Sequence, residues 1–308
     1  MASCQNPIMT GATIPAAAAG TWQLGDLTVN RMGFGAMRLT QRGPAFAGTA
    51  APSDRSQAIA VLRRAVELGV NHIDTAAFYF SALRSANELI NSALAPYPDG
   101  LVIVTKVGPG RDPWGAWTDA ARPDQLRGQV EENLRQLGRD HLDVVNLRRM
   151  PSMTSIAEHV GALAELRQAG LIRHLGISGV ELADLAEARA IAPVVCVQNS
   201  YGLTNRVSEP VVAACGEHGI AFVPFFALAG AGRRDGPPAD EPAELLEIAR
   251  LHGASVAQIR LAWTLQHGPH ILAIPGTGDP LHLAENLAAA AIRLTSDELA
   301  VLDALRAG

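Results

Sequence analysis

The chain has 308 residues, enough for one large α/β domain or two average ones, and far too many for a peptide-sized module. Hydrophobic residues make up 48%, which supplies a core without metal or disulfide staples and excludes disorder throughout. Charged residues are 18%, below the usual ~25%, and a net charge of -5 offers no basic surface to nucleic acid or an anionic membrane.

Residues 1–20 are Ala-rich, with no basic start and no unbroken apolar run, so they read as a loose leader rather than a signal peptide. Residues 21–308 read as a single domain. Thr21 to Asn30 carries Gly25-Asp26 between short apolar stretches and predicts a hairpin closing one end of the structure. Short β-branched runs then alternate with longer amphipathic stretches. Eight strands are predicted, at Arg31 to Gly35, Asn71 to Asp74, Leu101 to Lys106, Leu142 to Leu147, Ile172 to Ser178, Val194 to Asn199, Ala221 to Phe225 and Ile271 to Pro275. Between them fall helices such as Gln57 to Leu68 and Gln125 to Leu137, the second with Pro123 near its start and Gly138 just past its end. Extra helices follow near the C-terminus, at Pro242 to His252, Ser255 to Gln266 and Ser296 to Ala307. Strict alternation implies a parallel sheet, either open or closed. Eight units in about 250 residues favour a closed (β/α)8 TIM barrel with an N-terminal hairpin, and Gly33 and Gly35 do not form the Gly-rich turn of an open dinucleotide-binding sheet.

Cys4, Cys196 and Cys215 are odd in number and widely spaced, which indicates neither a disulfide framework nor a zinc site and fits a reducing cytoplasm. No segment approaches the ~20 apolar residues of a membrane span. The nine histidines form neither HxH nor HExxH, so no metal is expected. Ser53 to Gln57 and Pro280 to Asn286 read first as helix caps.

Barrel chemistry sits at the C-terminal ends of strands, where this sequence puts Asp74, Lys106, Arg148, Ser178 and Gln198. Asp74 and Lys106, on neighbouring strands, can pair, which satisfies two charges too costly to bury singly. Such a pair can be structural. Tyr79, five residues after Asp74, returns over the same rim, and a cation beside a phenol lowers its pKa toward the range of a useful general acid.

These residues resemble the aldo-keto reductases, barrel enzymes that use a nicotinamide cofactor. GVNHIDTAAFY (Gly69 to Tyr79) is similar to the family signature bearing the catalytic Asp and Tyr, and LVIVTKVG (Leu101 to Gly108) carries the matching Lys. IRHLGISGV and VVCVQNSY supply Ser178 and Gln198, which the resemblance places against the nicotinamide carboxamide. FVPFFALAGAG supplies Phe225 under the nicotinamide ring, with Ala227 and Leu228 beside it. IPGTGDPLHLAENL is similar to the segment that grips the adenosine end, through Pro275, Gly276, Thr277, Gly278, His282, Glu285 and Asn286. Gly35, Met37 and Arg38, after the first strand, complete the implied cofactor contacts. The implied activity is hydride transfer from NADPH to an aldehyde or ketone, with Tyr79 as general acid, Lys106 and Asp74 behind it, and Arg148 at the carbonyl oxygen. The Ala-rich composition hints at a high-GC bacterial source and specialised metabolism.

Two departures bear on this reading. Arg148 stands where the family usually has a His, and a guanidinium cannot exchange a proton at working pH; it either stabilises the developing oxyanion or pairs with an acid. Gly276 and His282 stand where members that prefer the 2′-phosphate often have Lys and Arg, which leaves NADH open beside NADPH. Phe78, Trp114, Trp117, Phe80 and the stretch Ala229 to Gly236 are candidates for the substrate pocket, which the short C-terminus implies is open. Two rivals remain: a Schiff-base lyase using Lys106, disfavoured because Asp74 would raise its pKa, and a nicotinamide-binding regulatory subunit with little turnover. Oligomeric state is not legible.

Overall fold

The computed structural model describes residues 15–43, 46, 50–228 and 241–305. The chain enters through an antiparallel hairpin, β1 (Thr21–Leu24) and β2 (Leu27–Asn30), turned at Gly25, whose φ of +66° a side chain would resist. Then come β3 (Phe34–Gly35), α1 (Arg55–Glu67) and β4 (His72–Asp74). A small second hairpin, β5 (Phe80–Ser81) and β6 (Arg84–Ser85), precedes α2 (Ala86–Leu94) and β7 (Val102–Val107). Regular alternation follows: α3 (Leu126–Leu137), β8 (Leu142–Arg148), α4 (Ala157–Gln168), β9 (Ile172–Ser178), α5 (Leu182–Ile191), β10 (Val194–Gln198), α6 (Glu209–Glu217) and β11 (Ala221–Phe222). The last helices are α7 (Ala243–Leu251), α8 (Val256–Gln266), α9 (Pro280–Ala288) and α10 (Ser296–Ala304).

From β3 to β11, leaving out β5 and β6, neighbouring strands pair in parallel and in chain order. The predicted eighth strand differs: Ile271 and Ala273 form isolated bridges to Phe222 and Met32 instead of a continuous ladder. Hydrogen bonds from Leu272 N to Phe222 O (2.9 Å) and from Gly33 N to Ala273 O (2.8 Å) nonetheless join both edges, so the sheet closes into a (β/α)8 barrel. Pro224 and Pro275 lack the N–H a ladder needs, which keeps this seam short.

Helix ends follow local chemistry. Asp54 accepts from Gln57 N (2.7 Å), so α1 starts at Arg55, two residues before its expected start. Gly138, at φ +61°, ends α3. Residues 15–20 are not part of a loose leader: Ala16 is fully buried, its N–H donates to Leu68 O (2.8 Å), and Arg293 Nη2 donates to Ala18 O (2.9 Å).

The parity of the strands divides the molecule. Side chains pointing outward pack under the helices in the larger apolar core. Inside the barrel, Val102, Val104, Val144, Cys196, Ala221, Val223 and Leu272 meet Leu24 and Val29 of the entry hairpin in a second cluster. Burying each of its Val and Leu side chains stabilises the fold by about 1.5–3 kcal/mol, and the hairpin plugs the N-terminal mouth. The inward positions above this plug are polar: Asp74, Lys106, Asn146, Ser178 and Gln198 are all buried. Among the described residues no helix is long and apolar enough to cross a membrane, and no group of three or more His, Cys, Asp and Glu is placed to hold a metal.

Candidate active site

Lys106 and Asp74 form an ion pair, each side chain 5% exposed. Lys106 Nζ donates to Asp74 Oδ1 (2.6 Å), Asp74 Oδ2 (2.7 Å) and Thr75 O (3.0 Å), so the ammonium meets three acceptors. Gln198 Nε2 also donates to Asp74 Oδ2 (2.8 Å), which ties a third strand to the carboxylate. Tyr79, buried on the turn after β4, lies with its ring centroid 4.9 Å from Lys106 Nζ. Arg148 ends β8 in register with Ser178 and donates from Nη1 to Ser178 Oγ (3.3 Å). Its guanidinium lies 5.1 Å from the Phe225 ring centre.

Burial pushes the Tyr79 phenol above its ordinary value; Lys106 and Arg148 pull it down, and Asp74 pushes it further up. The expectation of a phenol lowered outright is therefore corrected: the nearby cations restrain a shift that desolvation dominates. Burial pulls Lys106 down, but Asp74 and Tyr79 together outweigh it and hold the ammonium above its ordinary value. An amine nucleophile needs the opposite shift, which counts against the lyase reading.

These groups form the floor of a cavity of about 1290 Å³, large beside the ~300–1,000 Å³ of ordinary ligand pockets. One arm runs from Ser178, Gln198 and Phe225 past Ala227 and Leu228 toward Gly35, Met37 and Arg38. It continues along Pro275, Gly276, Thr277 and Gly278 to His282, Glu285 and Asn286 at the start of α9. The backbones here are close: a Cβ on Gly276 would run into the Gly35 carbonyl oxygen, and one on Gly35 would sit 2.6 Å from Ile274 O. A long side chain at 276 is thus excluded by packing. Gln57 Nε2 holds the Gly278 carbonyl (2.6 Å), which fixes the loop. Gln198 Oε1 is buried in the floor with no hydrogen-bond partner, an acceptor that fits an amide N–H such as a carboxamide brings.

The other arm is aromatic. Trp117 packs edge-on to Phe46 (5.1 Å between centroids) and Phe78 (5.7 Å), and Phe78 packs edge-on to Tyr79 (5.2 Å). Trp114 does not join them: it is 86% exposed and outside the cavity lining. Phe80 also lies outside the lining, braced by the Arg111 guanidinium 4.4 Å from its ring. The stretch Ala229 to Gly236 lies outside the described residues.

Against this geometry stand the comparisons with known proteins. The model of the aldo/keto reductase family matches residues 31–307. The chain belongs to that family. Its members are oxidoreductases of carbonyl compounds, which displaces the lyase reading. The chain is 44% identical, over 293 residues, to pyridoxine 4-dehydrogenase of Escherichia coli (strain K12), covering 93% of this chain and 98% of that protein. It superposes on the thermostable aldo-keto reductase Tm1743, solved with the inhibitor epalrestat, with a TM-score of 0.76 at 30% identity, over 92% of this chain and 99% of that one. An aldo/keto reductase from Klebsiella pneumoniae, solved with NADP and acetate, matches with a TM-score of 0.71 at 30% identity, over 90% and 92%.

Several residues of this aldo/keto reductase's cavity escaped sequence reasoning. Phe46, Met150 and Pro151 line it from loops with no periodic signal. Asp54 and Gln57 were readable only as a helix start; Asp54 caps α1 by accepting from Gln57 N, and both also line the arm that runs to α9. Arg42 lines the same arm near Arg38, whose Nη1 donates to Gly43 O (2.7 Å).

Proposed function

We propose that the protein reduces an aldehyde or ketone to the alcohol with NADPH, Tyr79 acting as general acid. The observation that carries this reading is the buried chain Asp74–Lys106–Tyr79 at the floor of a cavity whose other arm fits a dinucleotide. When bound, a reduced nicotinamide supplies the hydride. Ser178 and Gln198 would hold its carboxamide, Phe225 would pack against its ring, and the backbone of Pro275 to Gly278 would line its path to α9. Tyr79 donates its proton to the carbonyl oxygen as charge develops there. Lys106 stabilises the phenolate left behind, and Asp74 keeps Lys106 protonated and aimed. Arg148 adds positive charge beside the same oxygen without exchanging a proton.

NADPH is favoured over NADH on two supports. The Klebsiella pneumoniae neighbour was solved with NADP, and Arg38 and Arg42 bring guanidinium groups to an arm where Gly276 and His282 bring none. The aromatic arm suits a flat ring, and the Escherichia coli relative named for pyridoxine makes pyridoxal, an aromatic aldehyde, the first substrate to try.

The test is NADPH oxidation with pyridoxal and a panel of aldehydes, in wild type and Tyr79→Phe. A positioned general acid contributes ~10²- to 10⁴-fold, so Tyr79→Phe should lose that much turnover while binding NADPH as before. Unchanged turnover in the variant would remove Tyr79 from the mechanism, and absence of NADPH binding would remove the reductase reading. Slow turnover with every carbonyl, despite tight NADPH binding, would favour the regulatory subunit.

A further inference from the structure

Strands aim Asp74 and Lys106, but not Tyr79, which sits on the irregular stretch between β4 and β5 where no parity fixes its side chain. A residue from another loop ties that stretch down. Arg111, after β7, donates from Nη1 to Phe78 O (3.3 Å) and Phe80 O (2.6 Å), the carbonyls that flank Tyr79 in the chain. The Tyr79 carbonyl between them accepts from Ala86 N (2.9 Å), at the start of α2. The same guanidinium reaches the aromatic wall. Its centre lies 4.4 Å from the Phe80 ring centre, 5.3 Å from that of Phe46 and 5.6 Å from that of Trp117, within cation–π range. Arg111 also pairs with Trp117 in an antiparallel bridge, and its Nε donates to Gly115 O (2.9 Å). Gly115, at φ +90°, leaves room for the group, since a Cβ there would come within 2.6 Å of Arg111 Nη2. Arg111 itself lies outside the cavity lining, so it acts on a substrate only through the residues it holds.

A guanidinium carries donors along its edge and an apolar, cationic face on either side, so it can grip backbone carbonyls and lie against rings at once. We propose that Arg111 is a positioning residue that sets the Tyr79 phenol against the reacting carbonyl and ties that placement to the aromatic wall. One group thus joins the surface that a substrate ring lies on to the acid that donates the proton. The inference rests on Tyr79 being the general acid, as proposed above. Misplacing a reacting group by about 1 Å can cost on the order of 10²-fold in rate.

The experiment measures single-turnover NADPH oxidation with propanal and with pyridoxal in wild type, Tyr79→Phe, Arg111→Met and Arg111→Lys, each Arg111 substitution made alone and together with Tyr79→Phe. Calorimetry with NADPH and the urea midpoint control for the fold. Arg111→Met should slow the reaction about ten- to a hundredfold with both aldehydes while leaving the NADPH Kd unchanged. Its apparent KM should rise for pyridoxal and not for propanal, which has no ring to lay against Trp117. In the Tyr79→Phe background the same substitution should cost almost no further rate, because the group being positioned is gone. Arg111→Lys keeps the charge but loses the fork, so it should fall between wild type and Arg111→Met, and it carries the same comparison if Arg111→Met does not fold. Wild-type rates in the Arg111 variants, an equal loss with and without the Tyr79 hydroxyl, or a loss that tracks weakened NADPH binding overturns this inference alone. Wild-type turnover in Tyr79→Phe overturns the general-acid reading and this inference with it.

Discussion

Breaking and then replacing the Asp74–Lys106 pair tests the site's electrostatics directly. The ion pair is 2.6 Å long and both side chains are 5% exposed. At an effective dielectric near 20, unit charges about 4 Å apart attract by about 4 kcal/mol, and desolvation costs several kcal/mol per ion, so the pair as a whole adds little net stability. Removing one partner is different, because it strands the other charge among apolar strands. Lys106→Met leaves Asp74 with only Gln198 Nε2 as a side-chain donor, and Asp74→Asn leaves the ammonium without its counter-charge. Each single change should cost about 3–5 kcal/mol. The double variant, neutral throughout, should lose less than the sum by about 3 kcal/mol or more. Urea unfolding followed by tryptophan fluorescence gives all four free energies. If the two losses add within about 0.5 kcal/mol, the residues are not coupled and the charge argument fails.

Three further outcomes follow from single residues. His72 is 1% exposed against Gly33, and neither ring nitrogen reaches a hydrogen-bond partner; burial pulls it down to about 4, with the nearby Asn30 backbone opposing weakly. The fold therefore needs the neutral ring: stability is complete above pH ~6.5 and falls by about 3 kcal/mol as pH drops toward 4, a decline in the urea midpoint that His72→Leu should lack. Gly276→Ala should fold but bind NADPH at least about tenfold weaker by calorimetry, because the added methyl pushes the backbone off Gly35; an unchanged Kd would refute the close-approach argument. Trp117→Ala should raise KM for aromatic aldehydes about three- to tenfold, the loss of an aromatic pair, whereas Trp114→Ala, at an 86% exposed position, should leave kcat and KM alone.

The barrel was legible because its signal is repeated. Seven apolar runs bounded by helical stretches each point to the same architecture, so an error in one does not change the reading. The eighth shows what the pattern lacks. Ile271 to Pro275 has the composition of a strand, yet its hydrogen bonding is decided by its two neighbours, and Pro224 and Pro275 remove donors on that seam. Local pattern reports burial well and ladder length poorly. The β5–β6 hairpin was missed for a related reason. It is held by Arg111, about thirty residues later, whose Nη1 donates to Phe80 O (2.6 Å) while its guanidinium lies over the Phe80 ring. No window around Phe80 contains that contact.

The polar floor of the cavity was legible because strand parity does the positioning. In a parallel barrel, residues paired in register face the same side, and Arg148, Ser178 and Gln198 share one such row while Lys106 pairs with Asn146 beside them. A charge at the end of an apolar strand is therefore either a stability cost or a site, and a carboxylate and an ammonium on adjacent strands resolve that choice together. What parity does not give is the sign of a balance. Lys106 does pull on the Tyr79 phenol, as its place in the sequence suggests, but the depth of Tyr79 was not readable, and burial outweighs the cation. The aromatic wall was half legible for the same reason. Trp114 and Trp117 are three residues apart on one loop, and only the fold decides that one meets Phe46 and Phe78 while the other faces water. Strand ends carry this family's shared chemistry in positions that periodicity fixes. Loop contacts are long-range, so substrate selectivity has to be sought in loop groups such as Trp117 by direct measurement.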